Sequence, residues 1–457
     1  MRQPAKGSST AIFGLLASVA VAVAACTSSS TGSSPAVSGS TSSAPTVSSS
    51  SSAAPSSVPS VAAAGSAAGS DTLSGNLRVD FIAYDAKMQP WLDQVKADFT
   101  RLHPNVKLTL EVPNLDQYRD SLTTQAQGGS PPDVAEVATS WMPALADAGV
   151  LDDWEASGYR KDLLGQMDPT LRDGARYKSK LVGLSYGASA RAVFYNTDAW
   201  TKAGVTTPPA TWDEFLDDLR KVKQSGAKIP FYYEGKGQEA MAAWFNYVYF
   251  AYGGELADSS GKLTINKDAC VKGLTIWDTM NKEGLFEPNV TAGDFTAQTK
   301  SMVSGDATAT ITGPWLIPSY ASDGPNTKYA TFQIPRGTTQ ATVGVTDVYV
   351  QFRDGKNKEA ARAFVEYLMD PARDLQFIKD RGFLPVYSAQ FNLPDFQNGP
   401  FKAFTDALLH AKSVPLNANW TQFDKIGTNA VTAMYLDKSG PDKACQAMID
   451  GLAGIQQ

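Results

Sequence analysis

From Thr27 to Ser70 the chain uses only Ser, Thr, Ala, Gly, Pro and Val, with neither a charge nor an aromatic side chain. Such a stretch cannot bury enough apolar surface to offset the entropy of ordering it, so folding is confined to about Asp71–Gln457. A flexible chain of that length reaches about 35–40 Å in root-mean-square terms, which makes it a tether. The part that can fold is too long for one ordinary core and suits two lobes. No apolar stretch in it approaches the ~20 residues needed to span a bilayer.

Ahead of the tether, Met1–Lys6 carries Arg2 and Lys6 without an acid, and Ala11–Ala25 is small and apolar throughout. That run is short for a membrane-spanning helix and ends in small residues where a signal peptidase cuts, so residues 1–25 read as an export signal. Val23-Ala24-Ala25-Cys26 resembles the lipobox of bacterial lipoproteins. The resemblance implies a diacylglyceryl group on Cys26, with residues 26–75 as a lipid-anchored linker, and two acyl chains are what stable anchoring requires. An ordinary secretory signal with an incidental cysteine is the other reading. The tether's reach suits a thick cell wall, hence the outer face of a Gram-positive membrane.

Two of the 40 basic residues leave with the signal, so 38 face 46 acids and the mature chain carries about −8. Nucleic acid is therefore excluded as an expected partner. Besides Cys26 there are Cys270 and Cys445, which an oxidising compartment allows to bridge. Both also fall on apolar helical faces, Cys270 with Leu274 and Trp277, Cys445 with Met448, Ile449 and Leu452, so core thiols remain the alternative.

Leu77, Val79 and Phe81 alternate with polar residues, Trp91, Val95 and Phe99 recur at helical spacing, and Val106, Leu108, Leu110 and Val112 alternate again. This predicts β-α-β. Pro131-Pro132-Asp133-Val134 predicts a further strand and Ser140–Gly149 a further helix, so a parallel sheet is expected. Thr211-Trp212-Asp213-Glu214 is a capping box opening a helix through Phe215, Leu216, Leu219 and Val222, where the pattern restarts in a second lobe. Gly183–Tyr195, rich in small and aromatic residues, lies where the chain should cross.

Several further motifs occur in a specific order. Pro132-Asp133-Val134 is followed by Ala148-Gly149-Val150-Leu151, then Gly183-Leu184-Ser185-Tyr186, Phe194-Tyr195-Asn196-Thr197 and Thr207 to Phe215. Gly253-Gly254, Ala309-Thr310-Ile311-Thr312-Gly313-Pro314-Trp315 and Arg381-Gly382-Phe383-Leu384-Pro385 complete the series. In this order the chain resembles the extracellular solute-binding proteins of sugar importers, from about Leu77 to its end. The resemblance implies an α/β, two-lobed periplasmic-binding-protein-like (type II) fold with several crossovers, expected near Ser185, Gly344 and Gly382. Lobe 1 is then 76–185 with 344–381, and lobe 2 is 186–343 with 382–457. It also implies a monomer without cofactor or metal that clamps a sugar and delivers it to an ABC permease in the membrane.

A sugar offers apolar C–H faces and a rim of hydroxyls, so its site needs flat aromatic platforms with carboxylate, amide and guanidinium partners. The family's stacking tryptophan corresponds to Trp315, after Gly313-Pro314. Trp244 precedes Gly253-Gly254 at a similar separation to a family platform, although it also fits an apolar helix face with Met241, Phe245 and Val248. Trp420, among Asn417 and Asn419, is a third platform. Asp85 follows the first strand at its carboxyl end, where open parallel sheets bind ligands. Tyr186 and Asp347 lie beside expected crossovers, Arg381 before Gly382, and Ser140 and Trp141 after the Val134 strand, where relatives touch ligand. Two positions depart from maltose-binding protein, a distant member. Val137 stands where that protein has a tryptophan and Arg119 replaces an acidic contact, so maltose itself does not follow.

A receptor for a non-sugar solute is the alternative. A secreted glycoside hydrolase would need two carboxylates across the scissile bond, and no acid here stands in a recognisable hydrolase motif. With His103 and His410 the only histidines, and no zinc spacing or nucleophile elbow, no enzyme is expected.

Overall fold

The computed structural model describes residues 72–82, 88–113, 115–236 and 244–456. The export signal, Cys26, nearly all of the tether and Asp85 lie outside the described residues. Among those described, eight strands of four or more residues build two sheets. They are β1 (Gly75–Asp80), β2 (Val106–Glu111), β3 (Val134–Ala138), β4 (Leu184–Ser189), β5 (Ala192–Asn196), β6 (Ala309–Thr312), β7 (Tyr329–Gln333) and β8 (Val345–Gln351).

The first sheet has the order β2-β1-β3-β8-β4. Leu77, Val79 and Phe81 are buried, and the helix Met88–Leu102 lays Leu92, Val95 and Phe99 against the core before β2 pairs parallel to β1, which is the β-α-β unit the periodicity predicts. β3 is also parallel to β1, but β8 runs antiparallel to both β3 and β4. The expectation of a parallel sheet is thus corrected. β8 arrives from the second lobe and enters the sheet from the opposite end. The second sheet, β6-β5-β7, is antiparallel throughout.

Where the chain crosses also differs from expectation. β4 lies wholly in the first sheet and β5 in the second, so the first crossing is Ala190–Arg191 rather than Ser185, and Tyr186 belongs to lobe 1. The chain returns at Gly344, between Thr342–Val343, which pairs with Ala411–Lys412, and β8. Beyond Gly382 it stays on the first lobe, because Leu384 pairs with Ala188 and Tyr387 with Met167. It reaches the second sheet with the turn Gly399–Phe401, whose Pro400 carbonyl accepts from Thr331 Oγ1 at 2.9 Å, and the helix Lys402–Leu408, which packs on β7.

In lobe 2 the helix Trp212–Gln224 opens on the predicted capping box. The Glu214 N–H donates to Thr211 Oγ1 at 3.3 Å, and the Thr211 N–H donates to the Glu214 carboxylate at 3.1 Å. Cys270 and Cys445 are joined by a disulfide with Cα atoms 5.9 Å apart, tying the helix Lys267–Lys282 to the last helix, Pro441–Ile455. Among the described residues no helix is long and apolar enough to cross a membrane.

Candidate functional site

The carboxyl end of β3 meets the start of β8, with Ala138 opposite Asp347. Against β4 the register of β8 slips between Asp347 and Val348, which pair with Gly187 and Ser185, so Tyr186 is the extra residue of a β-bulge. Bulges re-aim side chains. Here the Tyr186 ring stacks on Tyr349 with centroids 4.6 Å apart, and its hydroxyl hydrogen-bonds the Glu136 carboxyl. The other oxygen of Glu136 accepts from the Ile82 N–H at 3.1 Å.

Glu136 is buried on β3, and burial pushes its carboxyl up to about 8. The Tyr186 hydrogen bond and the Arg381 guanidinium pull the other way, while the Asp347 charge raises it further. Tyr186, Asp347 and Arg381, all expected in the site and all buried, therefore gather around one acid that the sequence reading omits.

Trp315 reaches the same place from the second lobe. It follows β6 through Gly313-Pro314, and a Cβ on Gly313 would sit 2.2 Å from its ring, so only glycine lets the indole lie on the backbone. Gly382, at φ +72°, comes so close that a Cβ there would lie 2.7 Å from the Trp315 Cα. The ring is partly exposed and flanked by Phe295 and Phe383, at 6.2 and 6.5 Å. The Arg191 guanidinium lies over it, 4.6 Å from the centroid. The Arg191 charge also acts on Tyr247 and opposes the burial that pushes the Glu234 carboxyl up to about 7.

Ser140 and Trp141 form a second contact between lobes. They end the turn Thr139–Trp141 after β3, with the Trp141 ring edge-on to Tyr118 at 5.8 Å. The helix Trp420–Asp437 of lobe 2 packs against this turn, and Arg119 of lobe 1 donates to Thr421 Oγ1 at 3.4 Å. Trp420 begins that helix, 1% exposed and edge-on to Phe423 in the lobe 2 core, so the expectation of a third platform is corrected.

Trp244 is a correction. It is 1% exposed, its ring lies 4.5 Å from Tyr233 and 5.2 Å from Tyr247, and its carbonyl accepts from the Trp277 indole N–H at 2.9 Å. The apolar-face alternative holds, and it packs in the lobe 2 core instead of presenting a platform. The sequence reading also omits Arg191, Glu234 and Tyr247. For two omitted residues a signal was present. Glu136 is the only charge in Val134-Ala135-Glu136-Val137-Ala138, and Arg191 the only charge between Gly183 and Tyr195. Ionised groups enter such apolar strands at a cost that a function can justify.

Two α/β lobes joined by several crossings, with aromatic, acidic and guanidinium side chains converging between them, define a two-lobed binding protein. The family profile of the bacterial extracellular solute-binding proteins matches residues 85–373, and the chain belongs to that family. A binding protein of Brucella abortus is 30% identical over 374 residues, which is 81% of this chain and 90% of that one. The diacetylchitobiose-binding protein DasA of Streptomyces coelicolor is 24% identical, covering 83% of this chain and 90% of its own length. Among solved structures, an ABC transporter solute-binding protein of Thermotoga lettingae bound to α-D-tagatose superposes with a TM-score of 0.77 at 22% identity, covering 84% of this chain and all of that one. Maltose-bound MalE3 of T. maritima gives 0.74 at 20% identity, covering 83% and 99%. These two place the fold as the type II periplasmic-binding-protein kind.

Proposed function

We propose that this chain is the sugar receptor of an ABC importer: it holds a mono- or oligosaccharide between its lobes and, as a monomer anchored through lipid on Cys26, delivers it to the permease. The observation that carries the reading is Trp315. A partly exposed indole, with the Arg191 guanidinium over its ring and the Gly382 turn that follows Arg381 against its backbone, offers a flat apolar surface beside a hydrogen-bonding group, which is the complement of a pyranose. Relatives named for maltotriose, from Pyrococcus abyssi at 26% identity, and for diacetylchitobiose support the solute class.

A thermal-shift screen of mono-, oligo- and phosphosugars tests this, because a ligand at 100 times its dissociation constant adds about 2.7 kcal/mol of stability. With the sugar in hand, Trp315→Ala should weaken binding by about 1–3 kcal/mol in calorimetric titration and leave the unfolding midpoint nearly unchanged. Lost stability with intact affinity would make Trp315 a core residue.

The anchor is tested separately. Cys26→Ser removes the thiol that would carry the diacylglyceryl group, so the protein should leave the membrane fraction and collect in the medium of a Gram-positive host. A variant that stays on the membrane after carbonate washing would reject lipid attachment at this residue.

A further inference from the structure

The side chain that covers Trp315 belongs to a crossover. Arg191 is one of the two residues between β4 and β5, and its backbone is fastened to the segment leading into the second crossing. Its N–H donates to Thr342 Oγ1 at 3.1 Å, and the same hydroxyl donates to its carbonyl at 2.8 Å. The guanidinium Nη1 donates to Ser189 Oγ at 2.9 Å, and Ser189 Oγ donates to the carbonyl of Val345, the first residue of β8, at 3.3 Å. Ser189 and Thr342 are both buried. A continuous chain of contacts therefore runs from the Trp315 ring through Arg191 and Ser189 to both strands on which the chain passes between lobes.

We propose that Arg191 is a positioning residue that couples occupancy of the Trp315 platform to the relative orientation of the two lobes. A cation over an indole is held by the ring's quadrupole, so a ligand that stacks on that ring or takes one of the guanidinium N–H groups changes where Arg191 rests best. Arg191 cannot move independently of the crossings. Its backbone is bonded to Thr342, and its side chain shares the Ser189 hydroxyl with Val345. Rotation about a hinge is absorbed by a few residues at element ends, and Ala190–Arg191 and Gly344 are such positions. A ligand shifts such an equilibrium only by its differential affinity for the two orientations, and this chain of contacts makes that difference depend on the platform. A contact path alone does not establish coupling; a double-mutant cycle does.

The inference rests on the proposed sugar cleft, so the test has an arm without ligand. Dyes on cysteines introduced at exposed Lys107 in lobe 1 and Lys202 in lobe 2 of the Cys26→Ser chain report the inter-lobe distance by energy transfer. Without ligand, Arg191→Gln and Ser189→Ala should each shift that distance in the same direction, and the double variant should shift it no further than the larger single. Melting temperatures confirm that each variant is folded. The second arm adds maltotriose, diacetylchitobiose and tagatose, taking whichever binds the parent chain. Each single variant should bind ~5–30-fold more weakly, within the usual range of coupling between sites, again without additivity. The Ser189 hydroxyl reaches the Trp315 ring through Arg191, so Ser189→Ala breaks the chain of contacts without altering the platform itself. Unshifted distances in folded variants, or effects that simply add, overturn the coupling. Shifted distances in a chain that binds none of the three sugars uphold the coupling and count against the sugar reading.

Discussion

Breaking the Cys270–Cys445 disulfide should lower the stability of the folded part by about 3–5 kcal/mol, either through a reductant or through the paired changes Cys270→Ala and Cys445→Ala. The bond joins residues 175 apart in sequence, and chain-entropy reasoning makes such a cross-link worth about 5 kcal/mol, because it removes that many residues' freedom from the unfolded ensemble. Both cysteines are fully buried, so alanine leaves a small apolar gap and no unpaired hydroxyl. The effect should concentrate at the C-terminus. The helix Pro441–Ile455 packs on both Lys267–Lys282 and Trp420–Asp437, and the last of these carries Trp420 and Thr421 to the inter-lobe contact. Urea unfolding with and without reductant gives the number, and a loss below about 1 kcal/mol would mean that helix packing alone holds the lobe together.

Local structure was the most legible layer of this sequence. The β-α-β opening and the Thr211–Glu214 capping box follow from periodicity and from side chains that satisfy the first N–H groups of a helix, and neither depends on distant residues. The direction of β8 was not legible. A seven-residue strand reads the same in either orientation, and what fixes it is that the chain returns through Gly344 from the other lobe. The first crossing was misplaced by a few residues for a related reason: the small residues Gly187 and Ala188 suggest a break, yet β4 continues through them because Phe383 packs on Gly187 and Leu384 pairs with Ala188. Tyr186, Asp347 and Arg381 gather around Glu136 and Trp315 lies under Arg191, whereas Glu136 and Arg191 went unnoticed although each is a solitary charge in an apolar segment. Weighing such solitary charges above tryptophan spacing would have found them.

Trp244 is where spacing misled, and Trp244→Ala should cost about 3–5 kcal/mol of stability, the usual range for truncating a large buried aromatic. Its indole sits edge-on to Phe231 and Tyr247 and tilted on Tyr233, with Trp277 5.9 Å away, so alanine removes one wall from each of four neighbouring rings and leaves a cavity that backbone cannot readily fill. Its carbonyl also anchors the Trp277 indole N–H, and any relaxation of the helix start would strand that donor in an apolar core. Sugar affinity should fall less than in Trp315→Ala under conditions where the variant is folded, because Trp244 is joined to the platform indirectly, through Tyr247 and Arg191. The contrast with Trp315→Ala makes the assignment decisive. One tryptophan should lose stability and keep the ligand, the other should lose the ligand and keep stability, and the two are read by the same pair of measurements, urea unfolding and calorimetric titration. If Trp244→Ala unfolds at the parent's urea midpoint and loses the sugar instead, the indole is a platform in the liganded protein and the lobe 2 core must open to present it.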